Sequence, residues 1–211
     1  MYFLTQELYF PSVETASPEG IVAVGGDLSP ERLVLAYNSG IFPWFEDDEP
    51  ILWWSPSERM VLFFEDLKIS KSMRNVINQK KFKVTFNTAF REVILNCKKI
   101  ARKDQPGTWI TDDMVEAYCN LHKLGIAKSV EVWENEELIG GLYGIDLGHV
   151  FCGESMFSKV SNASKMAFIA LAKQLEMANY RLLDCQVYND HLASLGCVEI
   201  DREDFLMVLK A

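Results

Sequence analysis

The sequence predicts a mixed α+β protein, with a small N-terminal domain over residues 1–60 and a larger domain over 61–211. Three observations support this. Apolar residues recur at helical spacing in several capped segments, strand-like alternation gathers in the second half, and loop-forming residues cluster at Glu14–Gly20 and Ser55–Glu58. With 49% of its 211 residues hydrophobic, the chain has enough apolar surface for a packed core, which excludes intrinsic disorder.

The elements follow in order. Ser29-Pro30-Glu31 reads as an N-cap, a proline in the first turn and an early acid, so a helix should run from there to Gly40. Gly25-Gly26, set in the mostly apolar stretch Ile21–Leu28, reads as a turn, because no glycine-rich phosphate motif surrounds it. Ile51–Trp54 and Met60–Phe64 read as strands. Ser70 caps a helix over Lys71–Asn78, Phe82–Phe86 alternates like a strand, and Thr88–Ala101 is helical in period. Thr111-Asp112-Asp113 opens a helix that Gly125 should stop. Ser129–Trp133, Leu138–Ile145 and Val150–Cys152 then form an antiparallel meander, with turns at Glu134–Glu136 and Gly148. A helix over Ala163–Ala178, a strand over Arg181–Gln186 and a terminal helix from Arg202 complete the pattern.

The five cysteines are odd in number and form no Cys-x-x-Cys pair, which argues against a disulfide framework and a zinc site. No apolar run is long enough to span a bilayer, and Met1–Phe10 lacks a basic residue, so a soluble cytoplasmic protein is expected. The net charge of −9 is unevenly spread. Lys68–Lys103 holds eleven basic residues against the single acid Glu92, a local charge of +10. Lys71, Arg74, Lys80, Lys81 and Lys83 within it are candidates for contact with a nucleic-acid backbone, and a solvated helix face is the plainer reading.

Other residue groups carry candidate chemistry. Phe42-Pro43-Trp44-Phe45 and Trp53-Trp54 flank an acidic loop, Glu46–Glu49, and Trp109 follows a Gly-Thr pair; these indoles either fill a core or form platforms for base stacking. Gly140, Gly141 and Gly144 weaken one strand and allow close approach of a ligand or another backbone. Gly153-Glu154-Ser155-Met156-Phe157 fails the G-x-S-x-G pattern at its last position, which removes a serine hydrolase, and Cys185 reads as a buried thiol. Strand alternation predicts that Asp184 and Gln186 share one face, a polar pair at the end of an apolar strand.

Ten ordered motifs over nearly the whole chain resemble the leucyl/phenylalanyl-tRNA–protein transferase family. They include Val24–Pro30, Gly40–Phe45, Trp53–Pro56, Gly107–Ile110, Ser129–Trp133, Gly140–Gly144, Phe151–Ser158, Asn162–Lys165, Asp184–Gln186 and Ala193–Gly196. The resemblance implies a small N-terminal domain followed by an acetyltransferase-like (GNAT) domain. It implies transfer of Leu or Phe, and less well Met, from aminoacyl-tRNA to proteins with N-terminal Arg or Lys in the N-degron pathway, without metal or other cofactor. It implies Asp184 and Gln186 as the catalytic pair, and Trp109 as a stacker for the terminal adenosine, helped by Trp44 or by Trp53 or Trp54. An amino-acid pocket of Leu142, Phe151, Gly153, Met156 and Leu183 follows, with Glu154 among its polar contacts. Lys128 and Asp201 depart from the residues usual in the family. The rivals are a CoA-dependent acyltransferase, for which no [QR]-x-x-G-x-[GA] turn is present, and a non-catalytic RNA-binding module.

Overall fold

The computed structural model describes residues 2–100 and 109–211. Two sheets carry it. The first is built from β1 (Tyr2–Leu4), β2 (Ile21–Gly25), β3 (Phe42–Pro43) and β4 (Leu52–Trp54), in the order β1-β2-β4-β3, with α1 (Pro30–Asn38) between β2 and β3. The second contains β5 (Glu58–Leu62), β6 (Lys83–Phe86), β7 (Ala127–Glu134), β8 (Glu137–Asp146), β9 (Val150–Ser158), β10 (Leu182–Gln186) and β11 (Val198–Asp201). Their order is β11-β5-β10-β9-β8-β7-β6. The helices between them are α2 (Lys71–Asn78), α3 (Phe90–Lys99), α4 (Asp112–Lys123), α5 (Ala163–Met177), α6 (Asp190–Ala193) and α7 (Arg202–Lys210).

Local chemistry explains where the helices start and stop. Ser29, Ser70 and Thr111 each accept, through the side-chain oxygen, from a first-turn backbone N–H, that of Arg32, Met73 and Met114 respectively. Gly125, just past α4, has φ +79°, the left-handed conformation that closes a helix without a Cβ penalty. Gly25 and Gly26 both have positive φ, +83° and +78°, but Gly25 is the last residue of the strand Ile21–Gly25 rather than part of a turn, and that strand was not among the elements expected from the sequence.

The seven-stranded sheet separates two apolar cores, and its strands feed both by alternation. Val61, Tyr143, Cys152 and Leu182 face the core shared with α1, α3 and α4, whereas Met60, Leu62, Leu142, Phe151 and Leu183 face the core under α5. The glycines of β8 admit protein backbone rather than a ligand. A Cβ on Gly140 would lie 2.5 Å from that of Ala163 at the start of α5, and one on Gly144 would lie 2.2 Å from the carbonyl oxygen of Cys152.

The meander β7-β8-β9 is antiparallel as expected, and β10 joins β9 in parallel after the α5 crossover. That parallel pairing covers only Leu182–Asp184 against Val150–Cys152. Past this point β9 continues to Ser158 without β10 beside it, and the two strands open a cavity.

Candidate functional site

The cavity has a volume of about 750 Å³ and is lined by residues that both strands carry past their last pairing, Gly153 to Ser158 of β9 and Cys185 and Gln186 of β10, together with Leu183 just before it. Leu142 from β8 and Phe168 and Leu171 from α5 add apolar wall. Trp44, Trp109 and Ile100, at the end of α3, also line the cavity. The cavity is therefore apolar over much of its surface, carries indole side chains, and presents a few polar groups, the pattern of a small-ligand site.

Two bulges aim those polar groups. In β9 the register against β8 slips between Tyr143 and Gly144, so that Ser155 and Gly153 are paired and Glu154 is the extra residue. In β10 the register against β5 slips between Asp184 and Gln186, and Gln186 adopts φ +60°. A non-glycine residue in this region carries strain, and here the strain re-aims a side chain into the cavity. The Gln186 Nε2 donates to Glu154 Oε1 at 2.9 Å, while the Gln186 backbone N–H donates to Asp184 Oδ1 at 2.9 Å. An ionised carboxylate only accepts, so with Glu154 charged the Gln186 amide turns its nitrogen toward Glu154 and its oxygen away.

The bulge corrects the expectation that Asp184 and Gln186 share a face. Cys185 and Gln186 both line the cavity, and Asp184 does not. Asp184 is fully buried, and both of its oxygens are held by Arg59, Nε to Oδ1 at 2.8 Å and Nη2 to Oδ2 at 2.7 Å. It cannot meet the cationic side chain of an acceptor peptide. Its Oδ1 also accepts from the Gln186 N–H, which fixes the backbone at the end of β10.

The sequence missed the remaining partners of Glu154. Tyr118 donates to Glu154 Oε2 at 3.3 Å, and Tyr37 makes a short hydroxyl–hydroxyl contact with Tyr118. Both tyrosines are buried, and burial pushes both phenols well above their ordinary range, which keeps them neutral. Burial also pushes the Glu154 carboxyl up to about 7; the Tyr37 hydroxyl opposes this, the Asp184 charge adds to it, and Tyr118 and Arg59 oppose it. Arg59 donates as well to the Gly40 carbonyl at 3.3 Å and lies over the rings of Phe42 and Phe205. No sequence pattern marks Tyr37, Tyr118 or Arg59, since the partner of each is remote in sequence.

The other expected residues divide. Leu142, Gly153, Met156, Leu183 and Trp109 line the cavity. Phe151 does not: it shares the core under α5 with Leu142 and Leu183, but it lies in the part of β9 still paired with β10, with 2% of its surface exposed. Trp53 is wholly buried, its Nε1 donating to the Gly25 carbonyl, so it has no ring face to offer a base. Trp54 donates through Nε1 to the Trp44 carbonyl and packs 5.5 Å from the Trp44 ring, supporting the indole that does reach the cavity. Lys71, Arg74, Lys80, Lys81 and Lys83 are all exposed on α2, β6 and the turn between them, and Lys81 pairs with Glu134 at 2.6 Å. Arg102 and Lys103, the end of the basic window, lie outside the described residues. Among the described residues, no group of three or more His, Cys, Asp or Glu side chains converges as a metal site, and no helix is long and apolar enough to cross a membrane.

An apolar cavity with indole walls and an amide held by a carboxylate is that of an enzyme that positions its substrates, and comparison places the chain among the aminoacyltransferases. Residues 26–57 match the leucyl/phenylalanyl-tRNA protein transferase N-terminal domain, and residues 61–210 match the leucyl/phenylalanyl-tRNA protein transferase model. Relatives named leucyl/phenylalanyl-tRNA–protein transferase include one from Flavobacterium johnsoniae, 69% identical over the full length of both chains. Others come from Flavobacterium psychrophilum, 65% identical over all of both chains, and Thermodesulfovibrio yellowstonii, 51% identical over 99% of this chain and 85% of the relative. The chain belongs to the leucyl/phenylalanyl-tRNA–protein transferase family.

Proposed function

We propose that the protein transfers Leu or Phe, and less well Met, from aminoacyl-tRNA to the α-amine of proteins that begin with Arg or Lys, in the cytoplasm, as a step marking them for degradation. The small domain over 1–60 and a GNAT-like domain over 61–211 would share the work. The parallel β9–β10 pair that parts beyond Asp184, with a bulge in β9, supports the acetyltransferase-like reading.

The reaction exchanges an ester for an amide. The acceptor nitrogen bonds to the ester carbon, the bond from that carbon to the ribose oxygen breaks, and the proton lost by the amine ends on that oxygen. The exchange is downhill and needs neither ATP nor metal, so the protein's task is to position. An α-amine with a pKa of about 7.7–8.0 is already partly neutral at pH 7, and a strong base is dispensable.

The observation that carries this reading is the orientation of Gln186. With Nε2 committed to Glu154 Oε1, the amide oxygen is left to accept from the incoming amine and aim its lone pair at the ester carbon. Leu142, Met156, Phe168, Leu171 and Leu183 give an apolar seat for the donor side chain, and Trp44 and Trp109 offer faces to the terminal adenosine.

Incubation with labelled Phe-tRNA and an Arg-initiated peptide, without ATP, tests the activity. Transfer is expected; tRNA binding without transfer would leave an RNA-binding module, and transfer only from acyl-CoA would leave the other rival. In single turnover with both substrates saturating, Gln186→Ala should be about 10- to 100-fold slower with tRNA affinity nearly unchanged. A wild-type rate would remove Gln186 from the positioning of the amine.

A further inference from the structure

We propose that Tyr37 and Tyr118 form a positioning relay that keeps Glu154 an ionised, acceptor-only carboxylate, and so sets the pH below which transfer fails. This rests on the proposed role of Gln186 and extends it to residues that do not touch substrate.

The argument is one of hydrogen-bond direction. Gln186 Nε2 donates to one oxygen of Glu154 and the Tyr118 hydroxyl to the other. The single proton of Tyr118 is thereby committed, so in its contact with Tyr37 it must accept, and Tyr37 donates. The chain runs in one direction, Tyr37 to Tyr118 to Glu154, and each donation strengthens the next. A proton on Glu154 Oε2 places a donor where Tyr118 already donates, so the chain would have to reverse and the Tyr37 hydroxyl find another acceptor inside a buried core; only Oε1, on the Gln186 side, is left to take a proton without that reversal. The relay therefore favours the charged form of Glu154 against the burial that disfavours it.

The ionised form matters because it fixes the Gln186 amide. An ionised Glu154 can meet only the nitrogen end; a protonated one can also donate to the oxygen end, which lets the amide flip and present its N–H groups to the amine. The other groups around Glu154 leave the tyrosines as its adjustable donors. Cys152 is a buried thiol pushed well up by burial, Asp184 and Arg59 are locked to each other, and Tyr143 of β8 packs edge-on to Tyr118 at 5.7 Å. Tyr37 lies on α1, within the segment matched by the N-terminal family model, whereas Tyr118, Glu154 and Gln186 belong to the segment after it. The relay thus gives the N-terminal part a direct stake in the reaction centre.

The test compares Tyr118→Phe and Tyr37→Phe with the unmutated protein in two measurements. The first follows the Glu154 side-chain carboxyl by carbon NMR in protein labelled at glutamate, with Glu154→Gln identifying the signal. Loss of one charge-stabilising hydrogen bond should raise the Glu154 midpoint by roughly one pH unit in either variant, and no less in Tyr37→Phe than in Tyr118→Phe, because the Tyr37 hydroxyl opposes the effect of burial more than Tyr118 does. The second is the single-turnover transfer rate, taken as the ratio of variant to wild type from pH 6 to 9, so that titration of the substrate amines cancels. The ratio should fall toward low pH and recover at high pH, which a loss of folding stability alone would not produce. A midpoint that stays put in both variants, or a ratio independent of pH, overturns the proposal. Should Tyr118→Phe fail to fold, the same two readings on Tyr37→Phe decide it. A wild-type rate for Gln186→Ala would overturn the amine-positioning reading while leaving the NMR shift standing, so the two failures are distinguishable.

Discussion

Arg59 and Asp184, 125 residues apart in sequence, form a bidentate ion pair with both side chains almost entirely out of water. The pair lies at the opening of β10, and Arg59 also donates to the Gly40 carbonyl, so it ties the segment after α1 to the strand that ends in Gln186. Removing either charge strands the other in the core. Asp184→Asn keeps the shape but should still cost about 3–5 kcal/mol of stability, and Arg59→Met a similar amount. Chemical denaturation measures this. The double variant Arg59→Met, Asp184→Leu should recover most of the loss, and equal losses in the single and double variants would show that the charge pair is not what the site depends on.

Much of the fold is legible because its signals are local. The Ser29, Ser70 and Thr111 caps, the Gly125 stop and the β7–β8 turn each involve a few consecutive residues, and each stands where its residues indicate. The two bulges depend on cross-strand register, which no single segment encodes, and they decide where Glu154 and Gln186 point. The same limit applies to the indoles. Trp44, Trp53 and Trp54 are alike as residue types, and only the small sheet determines that Trp53 is sealed and Trp44 lines the cavity. Phe151 misses the cavity for a related reason: it is on the same face as Leu142 and Leu183, and only the point at which β9 and β10 part, a matter of cross-strand register, leaves it short of the opening.

That difference between the indoles gives a prediction. Trp44→Ala should weaken transfer from aminoacyl-tRNA by roughly 1–3 kcal/mol in kcat/KM, the value of one stacked base, with a small change in melting temperature. Trp53→Ala should instead cost about 3–5 kcal/mol of stability through the cavity it leaves. Paired thermal melts and transfer kinetics check both, and the reverse assignment would place the adenosine against the small sheet.

The exposed cations of α2 and the following turn predict a salt-dependent contribution to tRNA binding. Lys71→Glu and Lys80→Glu should each reduce the slope of log affinity against log salt by roughly 0.7–0.9 for a lost phosphate contact. Lys81→Glu should do less at first, because Lys81 is already engaged by Glu134. Filter binding at several salt concentrations reads the slopes. If all three match the wild type, these lysines are a solvated face and the tRNA lies elsewhere.

The last prediction concerns the cost of holding Glu154 charged. Its carboxyl is raised from an ordinary value of 4.5 to about 7, burial being the largest cause. Between those two values the folded protein binds a proton at Glu154 that the unfolded chain has released. Stability from this group is therefore undiminished below pH 4.5, declines as the pH rises through the window, and reaches its full penalty above about 7. Because Glu154 opens onto the cavity and is only half-buried, the penalty should be near 1–2 kcal/mol rather than the full value of the shift. Glu154→Gln carries no titrating group, so its stability relative to wild type should rise by about that amount from pH 5 to pH 8. Denaturant unfolding at both pH values gives the difference directly, with the rest of the chain cancelling between the two proteins. The same variant should transfer more slowly, because its side-chain amide can turn a donor toward Gln186 and release the amide that the carboxylate fixed. A stability difference that stays flat from pH 5 to pH 8 would mean that Glu154 titrates near its ordinary value, and the strain held at Gln186 would then serve some end other than contact with a charged carboxylate.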